Sequence, residues 1–184
     1  MHSPAKKSLI YLTGFMGSGK STIAPILANT IGYKFLDIDK AIEEETGKRV
    51  SEIFSDEGET YFRDAERRIL ASASADNHLV VSLGGGTITN PANLSLVKSS
   101  GILVFLKTDT EQIFQRVKFK EDRPLLKGAD GMRLTDDELL RRVKELLAAR
   151  EPFYSQADIV IETGGQRVGI TVDQIVRRLA VLID

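Results

Sequence analysis

One segment near the N-terminus has the residue types and spacing of a phosphate-binding loop. Residues 14–21 read GFMGSGKS and match the pattern G-x-x-x-x-G-K-[ST] in full, between an apolar run and a helical pattern. The glycines let backbone N–H groups turn inward around phosphates, and the following helix adds its positive end. We expect Lys20 to reach the β- and γ-phosphates of ATP and the Ser21 hydroxyl to ligate magnesium. The expected phosphate contacts are Gly17, Ser18, Gly19, Lys20, Ser21 and Thr22.

Two aspartates follow the second apolar run of the chain. Asp37 and Asp39 are two residues apart, and in an extended stretch such side chains point to the same side. The third apolar run ends in Ser82 and glycines rather than in an acid, so Asp37 is the expected carboxylate on the magnesium side. Asp39 is expected to act on an acceptor hydroxyl, with the alternative that it caps the next helix.

Two further features point to a second substrate. Arg63 and Glu66 are three apart on a predicted helix, so the glutamate can brace the guanidinium beside the inward-facing Phe62. Such an arginine suits a bidentate grip on a carboxylate, although a lone helical arginine is often merely solvated. Residues 84–86 are three glycines, which cost conformational entropy and add no packing, so we expect a close approach to their backbone.

Basic residues in the last third complete the candidate site. Residues 118–132 lack a clear periodicity and include two glycines, which predicts a mobile lid. Arg123 within it is expected to close over the phosphates. Arg116 and Arg150 flank this segment, and Arg150 is expected at the end of its helix, just before Pro152. Each arginine alone is compatible with a surface role; their joint placement favours a site.

The elements that must position these residues alternate between strand and helix. Five short apolar runs predict strands buried on both faces, at residues 9–12, 34–37, 79–83, 102–106 and 159–161. Helix starts are indicated by Asn90-Pro91 and by capping boxes at Thr135–Glu138 and Thr171–Gln174. This order predicts an α/β fold of three layers (α/β/α), with a five-stranded parallel sheet flanked by helices. Ligands bind such sheets at the carboxyl ends of the strands.

Length and composition limit the remaining possibilities. The 184 residues fit one domain, with the phosphate loop at 14–21, a substrate-binding insertion at about 38–70 and the lid at about 118–132. A net charge of −1 argues against a nucleic-acid partner, and the absence of cysteine excludes disulfides and thiolate metal sites. No apolar run approaches the ~20 residues of a membrane span, and the N-terminus lacks the apolar core of a signal peptide. We therefore expect a cytoplasmic protein with no membrane partner.

Taken together, the motifs resemble those of the shikimate kinases, P-loop kinases with a nucleoside monophosphate kinase-like fold. The resemblance rests on GFMGSGKS, FLDID, FRDAE, LGGGT, RPLL and REPFY, in this order and spacing, and extends from residue 9 to about 182. It implies transfer of the γ-phosphate of ATP to the 3-hydroxyl of shikimate, with Mg²⁺, by a monomeric enzyme. The alternatives are another small-molecule P-loop kinase, such as a gluconate kinase or a nucleoside monophosphate kinase, and a non-catalytic binding module with this fold.

The resemblance also implies roles for individual residues. Asp39 corresponds to the residue that binds the ring hydroxyls and orients the attacking one or accepts its proton. The contacts to shikimate implied with it are Arg63, Gly85 and Arg150. Asp37 corresponds to the carboxylate that reaches magnesium through water, and Arg123 to the lid arginine that stabilises the phosphates. Arg116, together with the loop of residues 163–167 that includes Arg167, corresponds to the adenine contacts.

Overall fold

A five-stranded parallel sheet organises the chain in a computed structural model that describes residues 8–119, 132 and 134–183. The strands are β1 (Leu9–Thr13), β2 (Lys34–Asp37), β3 (Leu79–Ser82), β4 (Ile102–Lys107) and β5 (Ile159–Glu162). Their order across the sheet is β2-β3-β1-β4-β5, and every neighbouring pair is parallel. All the carboxyl ends therefore lie at one edge of the sheet, where the predicted site residues follow them.

Helices connect these strands. In chain order they are α1 (Lys20–Ile31), α2 (Ile38–Thr46), α3 (Val50–Asp56), α4 (Gly58–Ala73), α5 (Pro91–Ser100), α6 (Thr110–Val117), α7 (Asp136–Tyr154) and α8 (Val168–Leu179). A short 3₁₀ turn, Thr87–Thr89, follows the triple glycine. Asn90 caps α5 with its side chain and Pro91 occupies the first turn, as predicted. The predicted capping box between Thr135 and Glu138 opens α7.

The two faces of the sheet carry separate apolar cores. Alternate residues of the central strands point to opposite faces, so Tyr11, Val81 and Leu103 join one core while Leu12, Val80 and Val104 join the other. The first core packs against α2 to α5, and the second against α1 and α8. This arrangement confirms the three-layer α/β/α fold predicted from the sequence.

A third apolar cluster lies beside the phosphate loop. Phe15, within that loop, is almost fully buried among residues of α6 and α7, including Ile113, Phe114 and Val143. The loop is therefore fastened to the helices that precede and follow the predicted lid.

Two details of the predicted elements were wrong. Strand β2 is half-exposed along its length because it lies at the edge of the sheet, and its Phe35 is 36% exposed. The predicted capping box at Thr171 is absent: α8 begins after Arg167, which places Thr171 inside the helix, where it is buried. An S/T-x-x-Q spacing also occurs within helices, so the pattern alone does not mark a start.

Most of the predicted lid, including Arg123, lies outside the described residues. None of the helices in the described part of the chain is long and apolar enough to cross a membrane.

Candidate active site

The phosphate loop connects β1 to α1 with the backbone that its glycines permit. Gly14, Gly17 and Gly19 have φ angles of 150°, 81° and 100°, which side-chain-bearing residues rarely adopt. A Cβ at Gly14 would also lie 2.7 Å from the carbonyl oxygen of Leu106. The Lys20 ammonium lies over the loop and donates to the carbonyls of Gly14 (2.7 Å) and Phe15 (3.2 Å). The loop therefore holds its cation at the start of α1, whose positive end faces the same space.

Two connected cavities open at the carboxyl edge of the sheet. The larger, of about 760 Å³, is lined by residues 16–23 of the phosphate loop and α1, by Asp37 and by Arg116. The smaller, of about 90 Å³, lies between α3, α4, the triple glycine and α7. Five residues line both: Met16, Asp39, Val50, Gly84 and Gly85. A ligand in the small cavity therefore meets one in the large cleft at Asp39.

The two aspartates reach this space by a different route from the one predicted. Helix α2 begins at Ile38, so Asp39 lies in its first turn and not in an extended stretch. Asp37, rather than Asp39, is the N-cap, accepting a hydrogen bond from the Lys40 backbone N–H at 3.3 Å. Both carboxylates nevertheless line the large cleft. Asp39 also lines the small cavity, together with the triple glycine.

The triple glycine lies where charged side chains converge. A Cβ at Gly84 would lie 3.2 Å from Asp39 Oδ1 and 3.0 Å from Glu66 Oε1. At Gly85 it would lie 3.2 Å from Arg150 Nη1, and at Gly86 2.9 Å from Arg63 Nη2. Side chains at these positions would displace the charged groups around them. The protein's own side chains therefore approach the three glycines closely, and the predicted approach of a substrate to their backbone stays a prediction.

Arg63 is held by carboxylates on its own helix. Its guanidinium contacts Glu59 at 3.1 Å and Glu66 at 3.0 Å. The Glu66 carboxylate is fully buried and also accepts from the Thr87 hydroxyl at 2.5 Å. Burial lowers the pKa of the Arg63 guanidinium, but the two carboxylates outweigh burial and leave its pKa above the ordinary value. The predicted brace between Glu66 and Arg63 is therefore present and is itself fixed by the turn after the triple glycine.

Arg150 is a buried cation with aromatic neighbours. It lies on α7, is 8% exposed, and has its guanidinium 5.3 Å from the centre of the Phe15 ring. Helix α7 continues through Pro152 to Tyr154, so Arg150 lies within the helix and not at its end as predicted. Among residues 8–119, 132 and 134–183, no carboxylate forms a salt bridge with it. Since a buried charge normally has an opposite partner, this site suits an anionic ligand.

The two arginines that are expected to contact adenine lie in different surroundings. Arg116 on α6 donates to the carbonyls of Gly17 (2.8 Å) and Thr163 (3.4 Å), and so joins the phosphate loop to the segment after β5. Arg167 is exposed at the start of α8 and does not line the large cleft, whereas its neighbours Gln166 and Val168 do.

Some residues in and around the cavities were not anticipated from the sequence. Thr87 and Tyr154 contact the site groups directly, yet a threonine after glycines and an aromatic residue near a helix end give no distinctive signal. Arg49, Lys40 and Glu43 line the large cleft from the predicted insertion. They belong to charged surface stretches, which are usually solvated, so nothing in the pattern separates them from their neighbours.

The oxygen donors of the large cleft fit a magnesium ion. The Ser21 hydroxyl and the Asp37 carboxylate both line it, and Mg²⁺ prefers such oxygen ligands. In the described part of the chain no three His, Cys, Asp or Glu residues come close enough to hold a metal without help. Magnesium in kinases is typically held by one or two protein oxygens together with substrate phosphates and water, and this donor set meets that requirement.

A parallel sheet with a glycine-rich loop between its first strand and first helix, and with a second cavity beside it, defines a P-loop kinase. Comparison with known proteins narrows the class. The family model described as shikimate kinase matches residues 16–180. The shikimate kinase of Prosthecochloris aestuarii is 48% identical over 172 residues, covering 94% of this chain and 87% of that one. That of Chlorobaculum tepidum is 46% identical, covering 94% and 90%.

A solved structure is also similar throughout. The shikimate kinase from Acinetobacter baumannii, in complex with shikimate, superposes with a TM-score of 0.85 at 34% identity, covering 95% of this chain and 94% of that one. The chain belongs to the shikimate kinase family. It is accordingly an ATP-dependent phosphotransferase with an alcohol group as acceptor, as its motifs predicted.

Proposed function

We propose that this chain transfers the γ-phosphoryl group of ATP to the 3-hydroxyl of shikimate, giving shikimate 3-phosphate and ADP. In this reaction the acceptor oxygen forms a bond to the γ-phosphorus, and the bond from that phosphorus to the β–γ bridging oxygen breaks. The hydroxyl proton passes to the Asp39 carboxylate, which lies where the two cavities meet. Phosphoryl transfer depends mainly on alignment and charge neutralisation, and the site offers both.

The observation that carries the proposal is the pair of arginines in the small cavity. Arg150 is buried and has no carboxylate partner among the described residues, and Arg63 lines the same cavity. A carboxylate bound between the two guanidiniums would supply the missing anion. Shikimate has one carboxylate and three hydroxyls, so its carboxylate end would bind at the arginines and its hydroxyls would face Asp39 and the backbone of Gly85.

On the donor side, Lys20 and the loop backbone would bind the phosphates. Arg123 is proposed to add charge from the lid, and it lies outside the described residues. Arg116, already fixed by two backbone carbonyls, is proposed to contact the adenine. The same role for Arg167 would need its exposed side chain to turn toward the cleft.

Ser21 and Asp37 are proposed to hold Mg²⁺, with Asp37 acting through water. Bound there, the ion would neutralise charge on the β- and γ-phosphates. We further propose that the chain forms one domain that acts as a monomer in the cytoplasm, as the resemblance implies.

A coupled assay of ADP release with Mg²⁺ and ATP tests the acceptor. We expect turnover with shikimate and none above background with gluconate or nucleoside monophosphates. Release with gluconate alone would make the chain a gluconate kinase-like enzyme and would overturn the assignment of the arginines. ATP binding without release for any acceptor would favour a non-catalytic binding module.

A pair of variants on α7 tests the carboxylate site itself. Arg150→Met removes a charge-assisted contact of about 2–3 kcal/mol, so the KM for shikimate should rise about 30- to 150-fold while the KM for ATP changes little. Arg141→Met, on the exposed face of the same helix, is the matched control and should leave both constants unchanged. Equal effects of the two variants would contradict the proposed role of Arg150.

A further inference from the structure

The carbonyl groups of the triple glycine all accept hydrogen bonds from the protein. That of Gly84 accepts from the Thr87 N–H at 3.1 Å, and that of Gly86 accepts from the Thr89 N–H at 3.1 Å. The Gly85 carbonyl accepts from the Tyr154 hydroxyl at 2.6 Å. In a trans peptide the N–H group points away from the preceding carbonyl, and the described chain contains no cis peptide. Each of these bonds therefore also sets the direction of the next N–H group.

The bond from Tyr154 differs from the other two because it comes from a distant part of the chain. Gly84 and Gly86 are bonded by residues three positions ahead, as in an ordinary turn, whereas Tyr154 lies 69 residues away at the end of α7. Within the described residues, it is the hydrogen bond that links the backbone of the triple glycine to the helix that carries Arg150.

Tyr154 is itself held firmly in place. It is fully buried, and its ring stacks on Phe105 of β4 with the ring centres 4.7 Å apart. Arg150 lies four residues earlier, one turn away on the same helix face, and its Nη1 is 3.2 Å from the position that a Cβ would occupy on Gly85. The hydroxyl thus donates to the Gly85 carbonyl close to the Arg150 guanidinium.

We infer that Tyr154 is a positioning residue for the acceptor: its hydroxyl holds the Gly85–Gly86 peptide beside the Arg150 guanidinium of the same helix. The guanidinium that would bind the acceptor carboxylate and the Gly85–Gly86 peptide then have a fixed separation before the substrate arrives. Preorganisation of this kind improves binding because the cost of ordering the groups does not fall on the ligand. The inference rests on the proposed function, since it concerns the same acceptor.

Burial is consistent with this role. Burial is the main cause that raises the pKa of Tyr154 to about 12, while the nearby Arg150 lowers it by less. The side chain therefore keeps its proton at neutral pH and remains a hydrogen-bond donor to Gly85.

The test is Tyr154→Phe, which removes only the hydroxyl, with Tyr11→Phe as the matched control. Tyr11 is also fully buried, and its hydroxyl shares a 2.8 Å hydrogen bond with Ser100, away from both cavities. We expect Tyr154→Phe to raise the KM for shikimate about 5- to 20-fold, with kcat and the KM for ATP changed less than threefold. Tyr11→Phe should lower the free energy of unfolding about as much as Tyr154→Phe does, without changing the KM for shikimate or for ATP.

A double-mutant cycle adds a readout that a purely structural role would not move. In the Arg150→Met background, Tyr154→Phe should raise the KM for shikimate by a much smaller factor than in the wild type, because the Gly85–Gly86 peptide then has no guanidinium to be aligned with. Equal factors in the two backgrounds would contradict a role through Arg150.

The outcomes separate this inference from the proposed function. If the wild type releases no ADP with shikimate, the proposed function fails. If the wild type is active and Tyr154→Phe matches Tyr11→Phe, only the inference fails. Should Tyr154→Phe not fold, Phe105→Leu decides, since it keeps the hydroxyl but removes the ring on which Tyr154 stacks. A KM for shikimate equal to that of the wild type would then overturn the inference.

Discussion

Four charged side chains meet around three residues that have no side chain. Asp39, Glu66, Arg150 and Arg63 all lie within 3.2 Å of the positions that Cβ atoms would occupy on residues 84–86. Two positive and two negative charges share a small volume, and Glu66 compensates Arg63 directly. Of the two guanidiniums, Arg150 is the more buried and has no carboxylate partner in the described part of the chain. At the residue scale, the site is therefore set up to bind one anion and to present Asp39 beside it.

Asp39→Asn tests the chemistry at the junction of the cavities. The change keeps the size of the side chain but removes its ability to take a proton, so kcat should fall about 10²- to 10⁴-fold. The dissociation constant for ATP should stay within about twofold, because the phosphate loop is unchanged. Steady-state kinetics and a binding titration measure the two quantities. Asp64→Asn, on the exposed side of α4, is the control. Wild-type turnover by Asp39→Asn would contradict the proposed role of Asp39 as the proton acceptor.

The buried Tyr154 also makes stability depend on alkaline pH. Its pKa is raised by burial from 10.0 to about 12, with Arg150 and Glu151 as the charged groups that act on it. Below pH 10 Tyr154 keeps its proton in both the folded and the unfolded chain, and its contribution to folding stability is fully present. Between pH 10 and 12 only the unfolded chain loses it, so stability falls as pH rises.

Urea unfolding at pH 9 and pH 11 measures this dependence. Between pH 9 and pH 11 the free energy of unfolding of the wild type should fall by about 1 kcal/mol more than that of Tyr154→Phe. The pKa of Tyr11 is raised as well, mainly by burial, but Tyr11 is present in both proteins and its effect cancels. Identical losses in the two proteins would show that the Tyr154 hydroxyl is not buried as described.

At the residue scale, the sequence predicts those site residues whose partners lie close to them along the chain. The phosphate loop and the pair Arg63–Glu66 follow from spacing alone, because a loop or a single helix positions both partners. Tyr154 and Thr87 did not follow, since their partners are 69 and 21 residues away and only the packed fold brings them together. Arg167 was expected at the adenine side on the resemblance, and that expectation stays a prediction.

At the scale of elements, α7 connects the acceptor site to the phosphate loop. It carries both Arg150 and Tyr154 near its C-terminal end, and it packs against Phe15 of the phosphate loop through Leu139 and Val143. Its first turn is closed by the capping box, in which the Thr135 N–H donates to Glu138 at 2.9 Å and the Glu138 N–H donates to the Thr135 hydroxyl at 3.4 Å. The helix that holds two site residues thus begins directly after the predicted lid.

Thr135→Ala should therefore destabilise the protein. Loss of the cap costs about 1 kcal/mol, which a urea titration resolves as a lower midpoint with an unchanged m-value. Thr30→Ala is the control, because this exposed threonine bonds only to the Ile26 carbonyl of its own helix and alanine is a better helix former. An unchanged midpoint for Thr135→Ala would indicate that the first turn contributes nothing to stability.

The element predictions failed where neighbours, rather than local pattern, decide the outcome. The run from Lys34 to Asp37 is a strand as predicted, but its half-exposure depends on its place at the edge of the sheet, and sequence does not give strand order. Asp39 lies in a helix and not in an extended stretch, because the Asp37 side chain caps α2 and the helix begins at Ile38. The sequence predicts that the helix carrying Arg150 ends just before Pro152, yet α7 continues through this proline to Tyr154.

In the described part of the chain, two apolar cores pack on opposite faces of one sheet, and a third apolar cluster lies beside the phosphate loop. Adjacent residues of β1 and of β4 contribute to different cores, so neither core can be lost while the sheet remains intact. The predicted substrate-binding insertion, residues 38–70, contributes Ile38, Ile42 and Ile53 to the first of these cores. We therefore expect the insertion to unfold together with the rest of the chain.

Equilibrium unfolding should accordingly show one transition. Far-ultraviolet circular dichroism, which follows the helices, and tyrosine fluorescence, to which the buried Tyr11 and Tyr154 contribute, should give the same urea midpoint. The chain contains no tryptophan, so the fluorescence signal is that of its tyrosines. Midpoints that differ beyond error would mean that the insertion, or another part, unfolds separately.

The adjacency of β1 and β3 has a consequence for changing the acceptor by protein engineering. These strands pair directly, with Leu12 opposite Ser82, so the phosphate loop and the triple glycine leave the sheet side by side at the same level. The wall of the small cavity, by contrast, comes from helices inserted between β2 and β3, through Val50, Phe54 and Phe62. Reshaping those three side chains alters the space for the acceptor ring while both loops keep their anchorage. Libraries that seek a new alcohol substrate are best confined to that wall.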